Sequence, residues 1–238
     1  MSESSLPLSS QDRVHPRLAE VVQRHLATTW RRPLRQFSEP AFEQVSEQLP
    51  AERPIILDAG CGTGWSTARL ASTHPDCEVI GVDQSLDRLR RHPALPANAH
   101  LVRAELADFW RLARAAGWRL HRHYLLHPNP WPKAAQLKRR WHAHPVWPDL
   151  LALGGALELR TNFEIYAREF ALALQLSGFT AQPELLSSSA ENAASPFERK
   201  YLDSGHRIFR VSARLSEDQD DANQPPMPAT RRKSDAYS

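Results

Sequence analysis

The feature that most constrains this chain is a short apolar run, Pro54–Asp58 (PIILD), that ends in Asp58-Ala59-Gly60-Cys61-Gly62-Thr63-Gly64. Three of the nine glycines fall in that turn. Glycine lets a backbone reverse sharply, and it lets a ligand approach where a Cβ would obstruct it. The amphipathic stretch Thr63–Ser72 follows, so the turn reads as a strand passing into a helix. A second apolar run, Glu78–Asp83, ends in another acid 25 residues after Asp58. Such a pair of strand ends is where an open α/β sheet binds its ligands.

The alternation continues along the chain. Helices are predicted over Leu86–Arg91, Ala107–Ala115 and Glu164–Leu176, and strands over His100–Arg103, Leu120–Leu126 and Ala156–Arg160. Phe179–Leu185 and Arg207–Leu215 close the pattern as two late strands with no clear helix between them, which suggests a hairpin. The expectation is an α/β fold with a mostly parallel sheet of about seven strands, helices on both faces and an antiparallel edge strand. Two helices precede it: one opening at Pro16 with Leu18, Val21, Val22, Leu26 and Trp30 on its apolar face, and one over Pro40–Leu49. Residues 1–13 and 216–238 are polar and read as disordered tails flanking a domain over 14–215.

Composition excludes several classes. No apolar run reaches the roughly 18 residues that would span a bilayer, and the N-terminus lacks a signal-peptide pattern, so a cytoplasmic protein is expected. The two cysteines, Cys61 and Cys77, cannot staple the chain or build a thiolate metal site. His121/His123 and His142/His144 have a chelating spacing, but no acid or cysteine nearby completes a set, and no metal is expected. Net charge is +3; residues 216–238 carry −2, which leaves +5 on residues 1–215. A basic domain suits a polyanionic partner, though a solvated basic surface would look the same. Of the 30 basic residues 26 are arginine.

The glycine pattern separates two ligand classes. A dinucleotide site shows G-x-G-x-x-G facing a pyrophosphate. Here the pattern is G-x-G-x-G behind Asp58, and an acid there repels pyrophosphate but suits a ligand with a cationic centre. Asp83 is placed to accept from a ribose diol. An ordinary strand–helix turn would account for the glycines alone, but not for the two acids.

The segment ILDAGCGTGWSTARLA…EVIGVDQS resembles motifs I and II of the class I, Rossmann-like methyltransferases that use S-adenosylmethionine. The resemblance implies that Gly60, Gly62 and Gly64 pass close to the methionine part, that Asp83 holds the ribose hydroxyls and that Glu105 lies near the adenine, with Asp58 and Gln84 as further cofactor contacts. In the second half HPNPWPKAAQLKRRWHAHP, LELRTNFEIY and SPFERKYLDSGHRIF resemble the bacterial tRNA (guanine-N7)-methyltransferases, with similarity from about Ile55 to Leu215. The family reads P-D-P-W-x-K at Pro128–Lys133, x-T-D-x-x-x-Y at Arg160–Tyr166 and T-x-F-E at Ser195–Glu198. It implies a catalytic pocket around Asn129, which also borders the cofactor, and guanosine contacts from Lys133, Asn162, Ser195, Phe197 and Glu198. Asn129 and Asn162 replace family aspartates, and Ser195 replaces threonine. Asn129-Pro130-Trp131 also resembles the N-P-P-aromatic motif of enzymes that methylate exocyclic amines. A binding protein that has lost turnover along with the carboxylates is a third reading.

Lys133, Lys138, Arg139 and Arg140 give four positive charges with no acid, interleaved with Trp131 and Trp141. Basic residues track phosphates and indoles stack on bases. Lys138, Arg139 and Arg140 are therefore expected on the RNA backbone, with tRNA as partner and the oligomeric state open.

Overall fold

The computed structural model describes residues 9, 11–187 and 189–215. Seven strands form one sheet: β1 (Ile55–Ala59), β2 (Glu78–Asp83), β3 (Ala99–Arg103), β4 (Leu120–Leu126), β5 (Ala156–Thr161), β6 (Pro183–Leu185) and β7 (Phe209–Arg214). Their order is β3-β2-β1-β4-β5-β7-β6, with β1 to β5 parallel and β7 antiparallel to both its neighbours. The sheet order reverses between β1 and β4. Parallel strands that are covered on both faces carry near-continuous apolar runs, and all six residues of β2 are buried, the terminal Glu78 and Asp83 included.

Successive side chains alternate across this sheet. Leu57, Ala59, Ile80 and Val82 point into the larger core, beneath α1 (Leu18–Leu26), α2 (Ser38–Gln48), α5 (Leu106–Ala115), α6 (Trp147–Ala152) and α7 (Glu164–Leu176). Ile56, Val79 and Tyr124 point the other way, onto Leu70 and Ala71 of α3 (Trp65–Thr73). The short α4 (Leu86–Leu89) follows β2.

Several expectations change. On α1 the fourth buried position is His25, while Leu26 is exposed, because the helix ends there and Trp30 lies beyond it. Between β4 and β5, where no element was expected, the chain forms two 3-10 turns (134–139 and 141–143) and then α6, whose Trp147 is fully buried. The late strand expected over Phe179–Leu185 shrinks to Pro183–Leu185, an exposed edge. Strands β6 and β7 do pair, but the tight hairpin gives way to a connection holding α8 (Pro196–Asp203). The N-terminal tail is not wholly loose. Ser9 Oγ donates to Pro132 O at 2.8 Å, and Gln11 Oε1 accepts from Arg140 at 2.6 Å. Residues 1–8, 10 and 216–238 of the expected tails lie outside the described residues.

Candidate active site

The cofactor candidates, Asn129 and Asn162 lie at or just after the ends of parallel strands, while Ser195, Phe197 and Glu198 lie at α8. Gly60, Gly62 and Gly64 all have positive φ, from 60° to 83°, a region that costs a Cβ-bearing residue roughly 1–2 kcal/mol. Gly64 is the N-cap of α3. The loop is pinned to β2, since Gly60 N–H and Cys61 N–H both donate to Val82 O, at 2.9 and 3.0 Å.

Asp58 lies beneath the loop, buried. Its Oδ2 accepts from Ser66 Oγ at 2.6 Å and Thr67 Oγ1 at 2.7 Å, both at the start of α3. Its Oδ1 is buried with no hydrogen-bond partner. Burial drives the carboxyl up to about 6, against the pull of the two hydroxyls. The nearby Cys61 thiol is also pushed up, by burial first and then by the charges of Asp58 and Asp83. Such a thiol is inert packing.

Asp83 is buried at the end of β2. Its Oδ2 accepts from Gly62 N–H at 3.1 Å and lies 3.3 Å from the half-exposed Arg88 guanidinium, while its Oδ1 accepts from Ser85 N–H at 2.8 Å. A carboxylate has about four acceptor positions, so these donors leave room for a further one. Gln84 follows on the surface. Glu105 caps the start of α5, and its N–H donates to Ser38 Oγ of α2 at 3.2 Å, so the N-terminal extension braces this end of the site. Burial raises the Glu105 carboxyl, aided by Asp108.

The loop after β4 is bounded by two non-glycine residues in the left-handed region, His127 (φ 53°) and Trp131 (φ 43°). Each carries strain of order 1–3 kcal/mol, which the surroundings must hold in place. His127 N–H donates to Arg160 O at 2.8 Å, and its Nε2 lies 2.9 Å from Glu198 Oε2. On the other side Trp131 O accepts from Arg140 Nη2 at 2.9 Å. Between these anchors Asn129 is exposed, as is Lys133 beyond it.

Asn162, after β5, is largely buried, with its Nδ2 3.0 Å from His206 Nδ1. Ser195 caps α8, and its Oγ accepts from Glu198 N–H at 3.1 Å. The exposed Phe197 is 4.0 Å from where a Cβ on Gly62 would lie, so α8 brings its aromatic ring to the mouth of the glycine loop.

Two expected roles change. Glu198 is fully buried, and its oxygens are met by His127, by Arg160 Nη1 at 3.0 Å and by Ala194 N–H at 3.1 Å. Burial pushes its carboxyl up, but the His127 hydrogen bond and the charges of Arg160 and His127 outweigh it and hold the group below its ordinary range. It positions the loop and does not face a substrate. Arg140, expected on RNA, is likewise fully buried, where it ion-pairs with Glu169 and bonds to Gln11 and Trp131 O. Trp141 also turns inward, edge-on to Trp110 at 4.9 Å. Lys138 and Arg139 stay exposed, with the Arg139 guanidinium 4.8 Å from the Trp131 ring centroid. Of the paired histidines, His123 accepts from Trp110 Nε1 at 3.1 Å, and burial drives it down to about 3.

Sequence reasoning missed Ser66, Thr67, His127 and Arg160. Adjacent hydroxyls opening a helix behind a buried acid were the available signal for the first two. The others contact Glu198 only through tertiary folding.

S-adenosylmethionine suits these residues. The unmet Asp58 Oδ1 is an acceptor for a cationic ligand, space above Gly60 is open with nothing within 4 Å of an added Cβ, and Asp83 retains acceptor capacity. Fold and site together define a class I methyltransferase, dependent on S-adenosylmethionine. Residues 52–211 match a family model described as "Putative methyltransferase". A tRNA (guanine-N(7)-)-methyltransferase from Alkalilimnicola ehrlichii is 30% identical over 225 residues, covering 89% of this chain and 94% of that protein. Another, from Brevibacillus brevis, is 28% identical over 70% of this chain and 83% of its own length. The chain belongs to the tRNA (guanine-N7)-methyltransferase family. Among solved structures, the 16S rRNA methyltransferase KamB superposes with a TM-score of 0.52 at 16% identity, covering 79% of this chain and 98% of that one. The 16S rRNA (adenine(1408)-N(1))-methyltransferase from Catenulisporales acidiphilia gives 0.51 at 19% identity, covering 76% and 93%. At these identities the likeness concerns the fold.

Proposed function

We propose that this chain methylates N7 of a guanosine in tRNA, with Asn129 as the residue that positions the base. The observation that carries the reading is the braced loop from His127 to Trp131. It presents Asn129 outward, while α8 brings Phe197 to Gly62. The cofactor supplies an electrophilic methyl group on a sulfonium. Guanine N7 offers an aromatic lone pair and carries no proton, so alignment is the main requirement and a general base is not needed. That explains how two amides can stand where relatives have acids. Asn129 supplies one acceptor and two donors, Phe197 offers a stacking face and Lys133 a cation for the neighbouring phosphate. Asp58, the three glycines, Asp83 and Glu105 hold the cofactor, and Asn162 and Ser195 shape the far wall of the pocket.

The deciding experiment incubates the protein with isotopically labelled S-adenosylmethionine and unmodified bulk tRNA, followed by nucleoside mass spectrometry. Label in 7-methylguanosine is the expected result. Label in an N-methylated exocyclic amine would move the assignment to that substrate class. No label in any nucleoside would overturn the enzymatic reading of this pocket.

A further inference from the structure

The segment joining α1 to α2 carries Arg31, Arg32 and Arg35, and the stretch 21–38 contains no acidic residue. All three side chains are exposed. Many of the protein's other arginines are ion-paired, as in Arg17–Glu20, Arg53–Glu78, Arg114–Asp149 and Arg210–Glu184. Among the described residues these three have no carboxylate within ion-pair reach. An unpaired guanidinium cluster is a feature that intramolecular stability does not explain, since an exposed pair would have stabilised the fold slightly and like charges oppose it.

The segment's backbone is nevertheless fixed. Arg35 N–H donates to Asp108 Oδ2 at 2.8 Å, and Arg32 O accepts from Arg111 at 2.7 Å. The Trp30 ring is held between the Arg111 guanidinium, 5.3 Å from its centroid, and the edge of His144 at 4.8 Å. The three arginines therefore project from an ordered support, which lowers the entropy lost when a partner binds.

The cluster also continues the basic surface at the active-site loop. His144 touches Trp141 at 5.5 Å, and Trp141 follows Lys138, Arg139 and Arg140. The charge of Lys138 reaches Glu20 and His25 on α1, and that of Arg32 reaches His144. At the far end the fields of Arg32 and Arg35 act on Glu105, and Arg103 lies over the Phe37 ring at 4.6 Å. One basic face thus runs from beside Asn129, across the N-terminal extension, to the adenine end of the cofactor site.

We infer that this face is a second phosphate track, on which the tRNA backbone beyond the target nucleotide lies, with Arg31, Arg32 and Arg35 as its outer contacts. The inference rests on the tRNA reading above. The face is longer than one nucleotide needs, and guanidiniums carried on an ordered backbone suit phosphate oxygens bidentately.

The test measures tRNA affinity against salt for the wild type, for Arg31→Gln/Arg32→Gln/Arg35→Gln, and for a charge-matched control away from the α1–α2 segment, Arg119→Gln/Arg210→Gln/Arg214→Gln, just before β4 and on β7. Each lost phosphate contact lowers the slope of log K against log salt by about 0.7–0.9. The first triple variant should lose about 2 from the slope with an unchanged melting temperature, and the control should keep the wild-type slope. Equal slopes in all three proteins, or an equal loss in both variants, overturn the track while leaving methyl transfer to tRNA intact. Wild-type protein that neither binds tRNA nor transfers a methyl group to it overturns the tRNA reading itself, and the track with it.

Discussion

Asp58→Asn should make the protein more stable at pH 8 while weakening its hold on S-adenosylmethionine. The carboxyl is buried and titrates near 6, against an ordinary 3.8. At about 1.4 kcal/mol for each tenfold, keeping it ionised costs the fold ~3 kcal/mol. The sign follows from linkage: between 3.8 and 6 the folded state binds more protons than the unfolded state, so the penalty is full above pH 6 and disappears below 3.8. An amide removes the charge but brings N–H donors beside Oγ of Ser66 and Oγ1 of Thr67, which returns about 1 kcal/mol. The net gain at pH 8 is about 2 kcal/mol, or about 4–8 °C in Tm for a domain of this size. The gain should shrink by more than about 1 kcal/mol at pH 5, where the wild-type carboxyl is largely protonated. Losing an ionised acceptor for the ligand's cation costs roughly 1.5–3 kcal/mol, about 10- to 150-fold in Kd. Thermal melts at pH 5 and 8 with calorimetric titration of the cofactor read both effects. A variant that melts below the wild type by the same margin at both pH values would refute the idea that Asp58 is held ionised against the fold.

Four further variants probe the rest of the site. Asp83→Ala removes an acceptor that binds Gly62 N–H and Ser85 N–H, and should weaken cofactor binding by roughly 1.5–3 kcal/mol in calorimetry. Arg140→Ala leaves Glu169 and its low-lying carboxyl buried without its cation. It should destabilise the fold by about 3–5 kcal/mol in urea without changing the salt slope of tRNA binding, whereas Lys138→Ala/Arg139→Ala should lower that slope by about 1–2. Asn129→Asp should hold or raise 7-methylguanosine formation, because an ionised acceptor bonds guanine N–H groups more strongly. An exocyclic-amine acceptor would show the opposite sign in the same assay.

The elements read most accurately from sequence were β2, β4 and α7, whose observed limits equal the expected ones. β2 is an apolar run bounded by Glu78 and Asp83, and a long helix repeats its pattern several times, so in both cases the signal is local and redundant. β4, which carries His121, Arg122 and His123, is marked by its apolar ends. α6 and α8 were missed for the opposite reason: at six and eight residues they are too short for a period to show. The glycine turn was equally legible, because three closely spaced glycines favour positive φ and Asp58 adjoins them in sequence.

The chain's sequence therefore determined the strand–helix alternation, the ligand class suited by Asp58 and the glycine loop, and the family that its motifs resemble. What only the tertiary structure decided is the direction of individual polar side chains. In sequence Arg140 is the third member of a basic triplet like its neighbours, but it turns inward because Glu169, 29 residues away, and Gln11, 129 residues away, meet its guanidinium there. Glu198 is withdrawn from the pocket by His127 and Arg160 in the same way. A charged group can be buried only where opposite charge and hydrogen bonds converge on it. Its partners can come from anywhere along the chain, and only folding brings them together.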